Sequence, residues 1–533
     1  MKNGLLLACV SLLLRCGNMA CRSFLSGRLG EAGMGLYQLI LTVYGVFALL
    51  IGAGLSVTIT RLVTDFLAVG QPRKALRAAS GGLLFSTLIG IAAGAGLYIS
   101  APFWGSVFIG DSRSVHALQI LALGLPFLGP SALVRGYFAA QRKMLRSCGE
   151  QLIEQTAECA LCIGLFSLLS PQSTEEAAAC TAWAVTAAEI LSCVYSMAVF
   201  LPDRARLLRL SAQEPQEKAS FLSAAAGIWL PCTANAVLRS GLGAVEQRLI
   251  PSGLTARCGS RAEAMESYGL VYAFAMPVIL FPSVLIAPFA ALIIPELSEA
   301  AVRKQRSGIR HMSEELFRLV LLYALPVMVG LWFFAPEISC FLYGSDKAAP
   351  MIRLLCPVIP LMYVDTAVDG MLKGLDRQTS YFLCNLLDSA VRVLLTLWLV
   401  PLCGLMGVVL VIWASEALNT LLSIRKLRQV TGMKLKLLQT FVCPLFCSAV
   451  LCALLRALPL PAWSQLLLFS CGSGSVTLHP GLGVCPQTPR SGLTVNENAK
   501  SLAKEGKVLL GPFQRLAESL GVLRRARNPF ADR

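Results

Sequence analysis

Long apolar segments of about twenty residues follow one another along most of this 533-residue chain, separated by short connections that carry charge, Gly and Pro. A helix of ~20 apolar residues spans the ~30 Å hydrocarbon core of a bilayer. Lipid offers backbone groups no hydrogen-bond partners, so helices are favoured over open strands. The pattern predicts thirteen membrane-spanning helices, at 4–24, 33–60, 79–101, 115–139, 150–169, 177–200, 219–243, 267–294, 313–335, 348–372, 379–400, 402–424 and 438–458.

The apolar pattern weakens towards the C-terminus. A fourteenth segment around 461–470 is short, and the chain after it is rich in Gly, Pro, Ser and charge. The sequence therefore predicts an all-α polytopic membrane protein with 13 or 14 transmembrane helices. We interpret 471–533 as a flexible, polar, basic tail. A basic amphipathic helix at its end, and a divergent or frameshifted terminus, are the alternatives.

Basic residues are concentrated in alternate connections. Arg73, Lys74 and Arg77 follow the second segment, whereas 171–176 and 335–350, which follow odd-numbered segments, are poorer in basic residues. Cytoplasmic loops are enriched in Lys and Arg, so this alternation predicts a multi-pass protein of the cytoplasmic membrane with a cytoplasmic N-terminus. Topology thus accounts for the net charge of +16 without nucleic-acid binding. The stretch 244–266 is an exception, with three arginines in a predicted outer connection.

An internal repeat organises the chain. A shift of 234 residues without gaps aligns apolar segments together with their Gly and Pro positions, for example Gly35 with Gly269 and Pro126 with Pro360. Six helices separate the two copies, so both have the same orientation in the membrane. We predict two pseudo-symmetric six-helix lobes related by an axis along the membrane normal, at 1–210 and 211–430. One or two further helices follow at 431–470.

Arginines within apolar segments are the first candidates for function, because a charge at this depth is costly and usually faces a protein-lined cavity. Arg15 and Arg22 are seven residues apart and share one helix face. Arg239 and Arg248 lie in or just after the seventh segment. Arginine binds phosphate through paired hydrogen bonds. The four arginines therefore predict an anion-binding cavity between the lobes. Arg28, at a segment end, is equally consistent with snorkelling to the interface.

Acidic residues lie at similar depth. Glu154 and Glu158 share one face of the fifth segment and Glu246 follows the seventh, so Glu154 and Glu246 are candidate ion-coupling or cavity acids. Structural ion pairs between lobes or helices are the competing interpretation, and we prefer it for Asp388 with Arg392, which are four residues apart.

No catalytic or metal motif stands out. The 19 cysteines are scattered, mostly through apolar segments, where a thiol behaves as a small apolar group. Cys159 and Cys162 form a CxxC without a second pair at zinc spacing. Phosphate-loop, HExxH and GxSxG patterns are not found in the sequence. We therefore expect a transporter rather than an enzyme, with no catalytic residues, no metal site and no cofactor.

Several stretches resemble one known family. FLSGRLGEAGMGLYQL (24–39) is similar to the start of the stage V sporulation protein B family of polysaccharide exporters. The segments 150–155, 246–254, 281–300 and 341–378 match in the same order, so the resemblance covers roughly residues 5–460. This family shares a superfamily with the lipid II flippases and the multidrug and toxic-compound extrusion transporters. The second helix lacks the basic residues typical of lipid II flippases, which favours the sporulation-type branch.

The resemblance implies a two-lobed flippase with a central cationic cavity. The implied substrate is a polyprenyl-pyrophosphate-linked glycan or peptidoglycan precursor, for spore cortex or cell-wall synthesis, with cell-wall synthases and membrane lipids as partners. Arg22, Glu154 and Arg248 match the family's first-helix arginine, fifth-helix glutamate and basic position after the seventh helix. Transport would be driven by the membrane potential, Na+ or H+. The alternatives are a cation-coupled multidrug efflux transporter and a non-transporting scaffold.

Overall fold

A computed structural model describes most of the membrane-embedded part of the chain. It covers residues 2–171, 173–210, 221–286, 305–375, 378–433 and 441–457, with residues 297, 300, 464, 465, 468 and 469. The predicted tail at 471–533 lies outside the described residues. Residues 211–220, which follow the predicted boundary between the lobes, also lie outside the described residues, as does most of the fourteenth segment. Within the described part, regular secondary structure is helical throughout.

In chain order the helices are α1 (Lys2–Ala68), α2 (Pro72–Pro102), α3 (Arg113–Ala122), α4 (Leu125–Ala140), α5 (Met144–Leu169), α6 (Thr174–Leu210), α7 (Phe221–Cys258), α8 (Arg261–Gly269), α9 (Met276–Leu280), α10 (Arg306–Phe333), α11 (Ala335–Tyr343), α12 (Ala349–Leu355), α13 (Ile359–Gly374), α14 (Gln378–Cys403), α15 (Leu405–Thr431) and α16 (Cys443–Arg456). Two π-helical segments continue α2 and link α8 to α9, at Phe103–Ile109 and Leu270–Ala275 respectively. Two 3₁₀ segments follow α9 and link α12 to α13, at Phe281–Leu285 and Cys356–Val358 respectively.

The thirteen predicted spans are mostly helical where they are described, but turns interrupt some of them, such as 115–139 at 123–124 and 402–424 at 404. Nine helical stretches in the described part are long and apolar enough to cross a membrane, and the pair α3 and α4, bent by 47°, makes a tenth. The first stretch, Val10–Leu67, contains two predicted spans. Its arms meet at Gly30, whose φ of 66° lies in the left-handed region that favours glycine. The chain therefore passes from the first predicted span to the second through a kink at Gly30, where the sequence predicted a loop.

The predicted connection at 244–266 was wrong. Helix α7 continues through it to Cys258, and only residues 259 and 260 separate α7 from α8. Four charged side chains of this stretch contact residues elsewhere in the protein, as described below: Glu246, Arg248, Arg261 and Glu266. Glu246 and Arg248 consequently lie on a helix that packs against α1 and α14.

The helix boundaries repeat at the spacing of the predicted internal repeat. α4 and α13 begin and end at positions 234 residues apart, and so do α5 and α14. Gly110 and Gly344, also one repeat apart, both end a helical segment with positive φ, at 76° and 68°. Such left-handed residues commonly close helices. The fold is thus a pair of pseudo-symmetric helical lobes followed by α16.

The lobes touch at a pair of glycines that the repeat relates to each other. A Cβ atom at Gly35 would lie 2.7 Å from the Met265 carbonyl oxygen, and one at Gly269 would meet the carbonyl oxygen of Glu31. Helix α1 and helix α8 therefore approach backbone to backbone at this point, as small residues allow in membrane proteins. The crossing fixes how closely the two lobes can pack.

We predict that Gly269→Ala destabilises the protein, because the added methyl group must displace the α1 backbone. Overpacking of this kind costs about 1–3 kcal/mol, which would lower the thermal unfolding midpoint of the purified protein by several degrees. Gly241→Ala in α7 is the matched control, since a Cβ there meets no atom within 4 Å. Equal midpoints for the two variants would contradict the tight crossing.

Candidate functional site

The N-terminal lobe encloses a group of acidic side chains around one arginine. Arg135 of α4 contacts Glu150 of α5 at 3.1 Å, and Ser192 of α6 donates a hydrogen bond to the other oxygen of Glu150 at 3.2 Å. Glu150 is 2% exposed. Glu189, also buried, accepts a hydrogen bond from Tyr44 of α1 at 3.3 Å. The carboxylates of Glu150 and Glu189 thus join helices α4, α5 and α6 to one another and to α1.

Glu154 and Glu158 extend this group along α5, one and two turns beyond Glu150. Glu154 forms no hydrogen bond or ion pair within the described residues, although it lies in the field of Arg135 and of both neighbouring glutamates. Glu158 accepts a hydrogen bond from Gln155 at 3.3 Å and is attracted by Arg22 of α1. Three carboxylates at helical spacing therefore share few cations, and Glu154 is the least neutralised.

The C-terminal lobe has a corresponding group with its arginine in a different place. Arg392 of α14 lies 2.8 Å from Glu416 of α15, 3.4 Å from Asp388 of its own helix and 3.7 Å from Glu246 of α7. The ion pair predicted for Asp388 and Arg392 is present, and it belongs to a larger cluster. Glu246, a predicted coupling acid, is thus held by a guanidinium group.

Arg239 of α7 lies close to acidic residues of the C-terminal lobe. It interacts electrostatically with Asp365 of α13 and with Asp388. Asp365 also accepts a hydrogen bond from the side-chain amide of Asn419 at 2.9 Å. The structure therefore brings Arg239 near carboxylates rather than leaving it as an isolated positive charge.

Arg15 and Arg22 lie on the first arm of α1. Arg22 donates to the side-chain oxygens of Asn18 at 3.0 Å and Gln38 at 3.2 Å, and Arg15 approaches the Leu280 carbonyl oxygen at 3.5 Å. Within the described part of the chain neither forms a salt bridge. Both guanidinium groups thus have neutral hydrogen-bond partners, and the field of Arg22 also acts on Glu158.

Arg248 has a different set of partners. Its Nε donates to the Phe108 carbonyl oxygen at 2.6 Å, and its Nη2 to that of Val107 at 3.2 Å. Arg261 likewise donates to the Ile109 carbonyl oxygen at 2.5 Å. These carbonyls end the π-helical segment after α2, so two arginines of one lobe cap a helix end of the other. The predicted pyrophosphate role of Arg248 stays a prediction, and here these two donors are already engaged.

A lysine adds to this contact between the lobes. Lys347 lies 3.1 Å from Glu31 of α1 and 3.7 Å from Glu266 of α8. Hydrogen bonding with Glu31, together with the charge of Glu266, raises the pKa of Lys347, so the lysine stays protonated. The kink at Gly30 and the connections after α2, α7 and α11 all lie on one side of the fold, the side that loop charge predicts to be outer. On that side the lobes are held together.

Sequence reasoning missed Arg135, Glu150, Glu189, Arg261 and Lys347. The first three lie in apolar segments, so their depth was a usable signal. The pairing of these residues across α4, α5 and α6 could not be predicted from the sequence, because residues 15 or more positions apart come into contact only through helix packing. Arg261 and Lys347 lie at connections, where a charge is ordinary.

Nine apolar helices long enough to cross a membrane, with charged clusters buried among the described helices, indicate a polytopic membrane protein. Solved structures share this fold. A lipid II flippase MurJ in an inward closed conformation matches 89% of this chain and 99% of its own with a TM-score of 0.67, at 13% identity. An inward-facing multidrug resistance MATE family transporter of the MOP superfamily matches 80% of this chain and all of its own, at 14% identity and TM-score 0.64.

The family model described as polysaccharide biosynthesis protein matches residues 1–301, more than half of the sequence. The chain belongs to this family. It is 24% identical to the stage V sporulation protein B of Bacillus subtilis (strain 168) over 444 residues, 82% of this chain and 85% of that protein. The lipid II flippase MurJ of the same organism is 18% identical over 435 residues, 77% of this chain and 79% of that protein.

We predict that Arg135→Gln destabilises the protein, because it leaves the carboxylate of Glu150 buried without its cation. Breaking a buried ion pair costs about 3–5 kcal/mol. The double variant Arg135→Gln/Glu150→Gln should recover most of the loss, since it buries no charge at this position. Thermal unfolding of the purified variants measures both effects. A double variant no more stable than the single one would contradict the pairing.

Proposed function

We propose that this chain is a flippase for a polyprenyl-pyrophosphate-linked glycan or peptidoglycan precursor, which it carries across the cytoplasmic membrane by alternating access. The fold and the family support a transporter of the MOP superfamily. The substrate class is the further step, and it rests on the arginines of α1. A headgroup bearing a pyrophosphate needs cations within the membrane, where each unpaired charge is costly.

The observation that carries the proposal is the state of Arg15 and Arg22. Both are at membrane depth, on one face of the first arm, and their described hydrogen-bond partners are neutral oxygens. A permanent structural role would be served better by a carboxylate, as at Arg135 and Arg392. Arg239 would face the same headgroup from α7, with Arg248 engaging it once the contact with α2 opens.

Ion coupling is the second part of the proposal. Glu154 is the coupling acid that we favour, because it lacks a direct partner in the described residues while Glu246 has Arg392. Binding of Na+ or H+ at Glu154, or the membrane potential acting on the α1 arginines, would bias the two lobes between inward-open and outward-open states.

We infer a role in spore cortex or cell-wall synthesis, since the relatives include a stage V sporulation protein B and a lipid II flippase. The protein would then lie in the cytoplasmic membrane with its N-terminus in the cytoplasm, next to lipid-linked substrate and the synthases that use it. A scaffold without transport would not need arginines in α1 that form no salt bridge in the described residues.

A cation-coupled multidrug efflux transporter is the alternative function. The acidic group at Glu154, Glu158 and Glu189 favours it, because excess carboxylates attract amphipathic cations. The MATE-family fold match is consistent with both functions. The two are distinguished by substrate charge: a flippase of this kind binds an anion at α1, and an efflux pump binds a cation at α5 and α6.

We predict that Arg22→Ala slows flipping of a polyprenyl-pyrophosphate-linked sugar in reconstituted vesicles by about 10-fold or more. A hydrogen bond to a charged group contributes about 1.5–3 kcal/mol, and ~1.4 kcal/mol corresponds to a factor of ten in rate. Arg22→Lys should fall between the wild type and Arg22→Ala, because it keeps the charge but loses the paired geometry.

Arg28→Ala is the matched control, since Arg28 is an exposed arginine on the same arm, stacked over Phe24. It should flip at the wild-type rate. A wild-type rate in Arg22→Ala as well would exclude the anion site. Resistance to cationic drugs on overexpression, without flipping, would favour the efflux alternative.

We predict that Glu154→Gln removes the dependence of flipping on an imposed ion gradient, because a neutral amide neither binds a cation nor exchanges a proton in its place. Flipping is measured in vesicles with Na+ or pH gradients of either direction. Glu175→Gln, at the exposed start of α6, is the control and should keep the wild-type response. A gradient response that survives in Glu154→Gln would rule out coupling through this side chain.

A further inference from the structure

Three helices of the C-terminal lobe bring carboxylates to one point, and Arg392 lies among them. Glu246, Asp388 and Glu416 contribute oxygens within 3.7 Å of the guanidinium group. These carboxylates are each about one-tenth exposed or less. Three like charges at such distances repel one another strongly in a medium of low dielectric constant unless a cation separates them. Arg392 is therefore the cation on which the junction of α7, α14 and α15 depends.

The internal repeat supplies a comparison within the same molecule. The residues one repeat before Asp388 and Arg392 are Glu154 and Glu158, on the corresponding helix α5. The residue one repeat after Arg135 is Asp369, on the helix that corresponds to α4. Each lobe thus has two acids and one arginine at these three positions, with the arginine moved from α4 in one lobe to the next helix in the other.

The different position of the arginine leaves different carboxylates without a cation in the two lobes. In the N-terminal lobe the arginine pairs with Glu150, and Glu154 has no direct partner in the described residues. In the C-terminal lobe the arginine occupies the middle of the carboxylates. One cluster contains a fixed cation where the other contains an acid.

The carboxylates around Arg392 have more oxygen atoms than its guanidinium group binds. Asp388 Oδ1 and Glu246 Oε1 are buried and find no donor in the described part of the chain. Carboxylate and amide oxygens are the ligands that hard metal cations prefer. The surroundings of Arg392 are thus those of a small cation, with a guanidinium group in its place.

We propose that Arg392 is a tethered substitute for an exchangeable monovalent metal ion. It occupies the place among Glu246, Asp388 and Glu416 that a sodium-sized cation would take, so the C-terminal lobe holds its cation permanently. Exchange of a coupling ion is then confined to the N-terminal lobe. This inference does not rest on the proposed substrate, because it concerns the charge of one lobe and is tested without transport.

The test is the response of thermal stability to sodium. Arg392→Gln is purified and unfolded at increasing NaCl, with choline chloride as the control for ionic strength. In choline its unfolding midpoint should lie several degrees below that of the wild type. Sodium should raise the midpoint, and should continue to raise it as the concentration increases, because an ion that binds only the folded state stabilises it by RT ln(1 + c/Kd) at a sodium concentration c. Arg392→Lys, which keeps a tethered cation, should respond to NaCl no more than to choline. Arg28→Gln, an exposed arginine variant, should behave as the wild type.

Two results would overturn the proposal. One is an Arg392→Gln protein that responds to sodium no more than to choline, including one whose stability is restored by acid alone. The other is a sodium response of the wild type that Glu416→Gln abolishes, since the C-terminal cluster would then bind sodium beside Arg392. If Arg392→Gln does not fold, binding of radioactive sodium to the wild type and to Glu416→Gln decides. Loss of binding in Glu416→Gln overturns the proposal, and equal or absent binding in both supports it.

Discussion

Neutralisation of charge inside a membrane protein is the constraint on which this structure depends. An ionised side chain at this depth is tolerated when other side chains or backbone dipoles compensate it. Arg135 and Arg392 meet that requirement within their lobes, each through carboxylates on neighbouring helices. The same pairings fix how α4, α5 and α6, and α7, α14 and α15, are arranged. Packing of apolar surface alone is weakly directional, because lipid is as apolar as the helices.

Between the lobes the contacts are of another kind. Arg248 and Arg261 bind backbone carbonyl oxygens, and Lys347 joins two partly exposed glutamates. Contacts to solvent-accessible groups are weak individually, about 1 kcal/mol or less for an exposed ion pair. The ion pair of Lys347 is therefore weaker than the buried clusters inside each lobe. Such a division suits a protein whose lobes move as units.

The two lobes show how a repeat can diverge without losing its frame. Helix boundaries are kept at a spacing of 234 residues for two helix pairs, and the glycines at the crossing are kept as well. Three charged positions are kept too: Glu154 and Asp388 have the same sign, whereas Arg135 and Asp369, and Glu158 and Arg392, have opposite signs. The arginine thus lies on a different helix in each lobe while the sum of charges at these three positions stays the same, so the lobes differ in which carboxylates remain available.

The sequence by itself determined the fold class, the location of the long apolar helices, and the repeat. Hydrophobic length and the spacing of Gly and Pro are local properties that a linear pattern records. It also marked Arg15, Arg22, Glu154 and Arg392 as unusual by depth. Only the tertiary structure decided which of them are neutralised. Partners of a buried charge come from helices far apart in the chain, so Glu246 meets Arg392, and Arg248 meets the end of α2, through packing that no periodicity encodes.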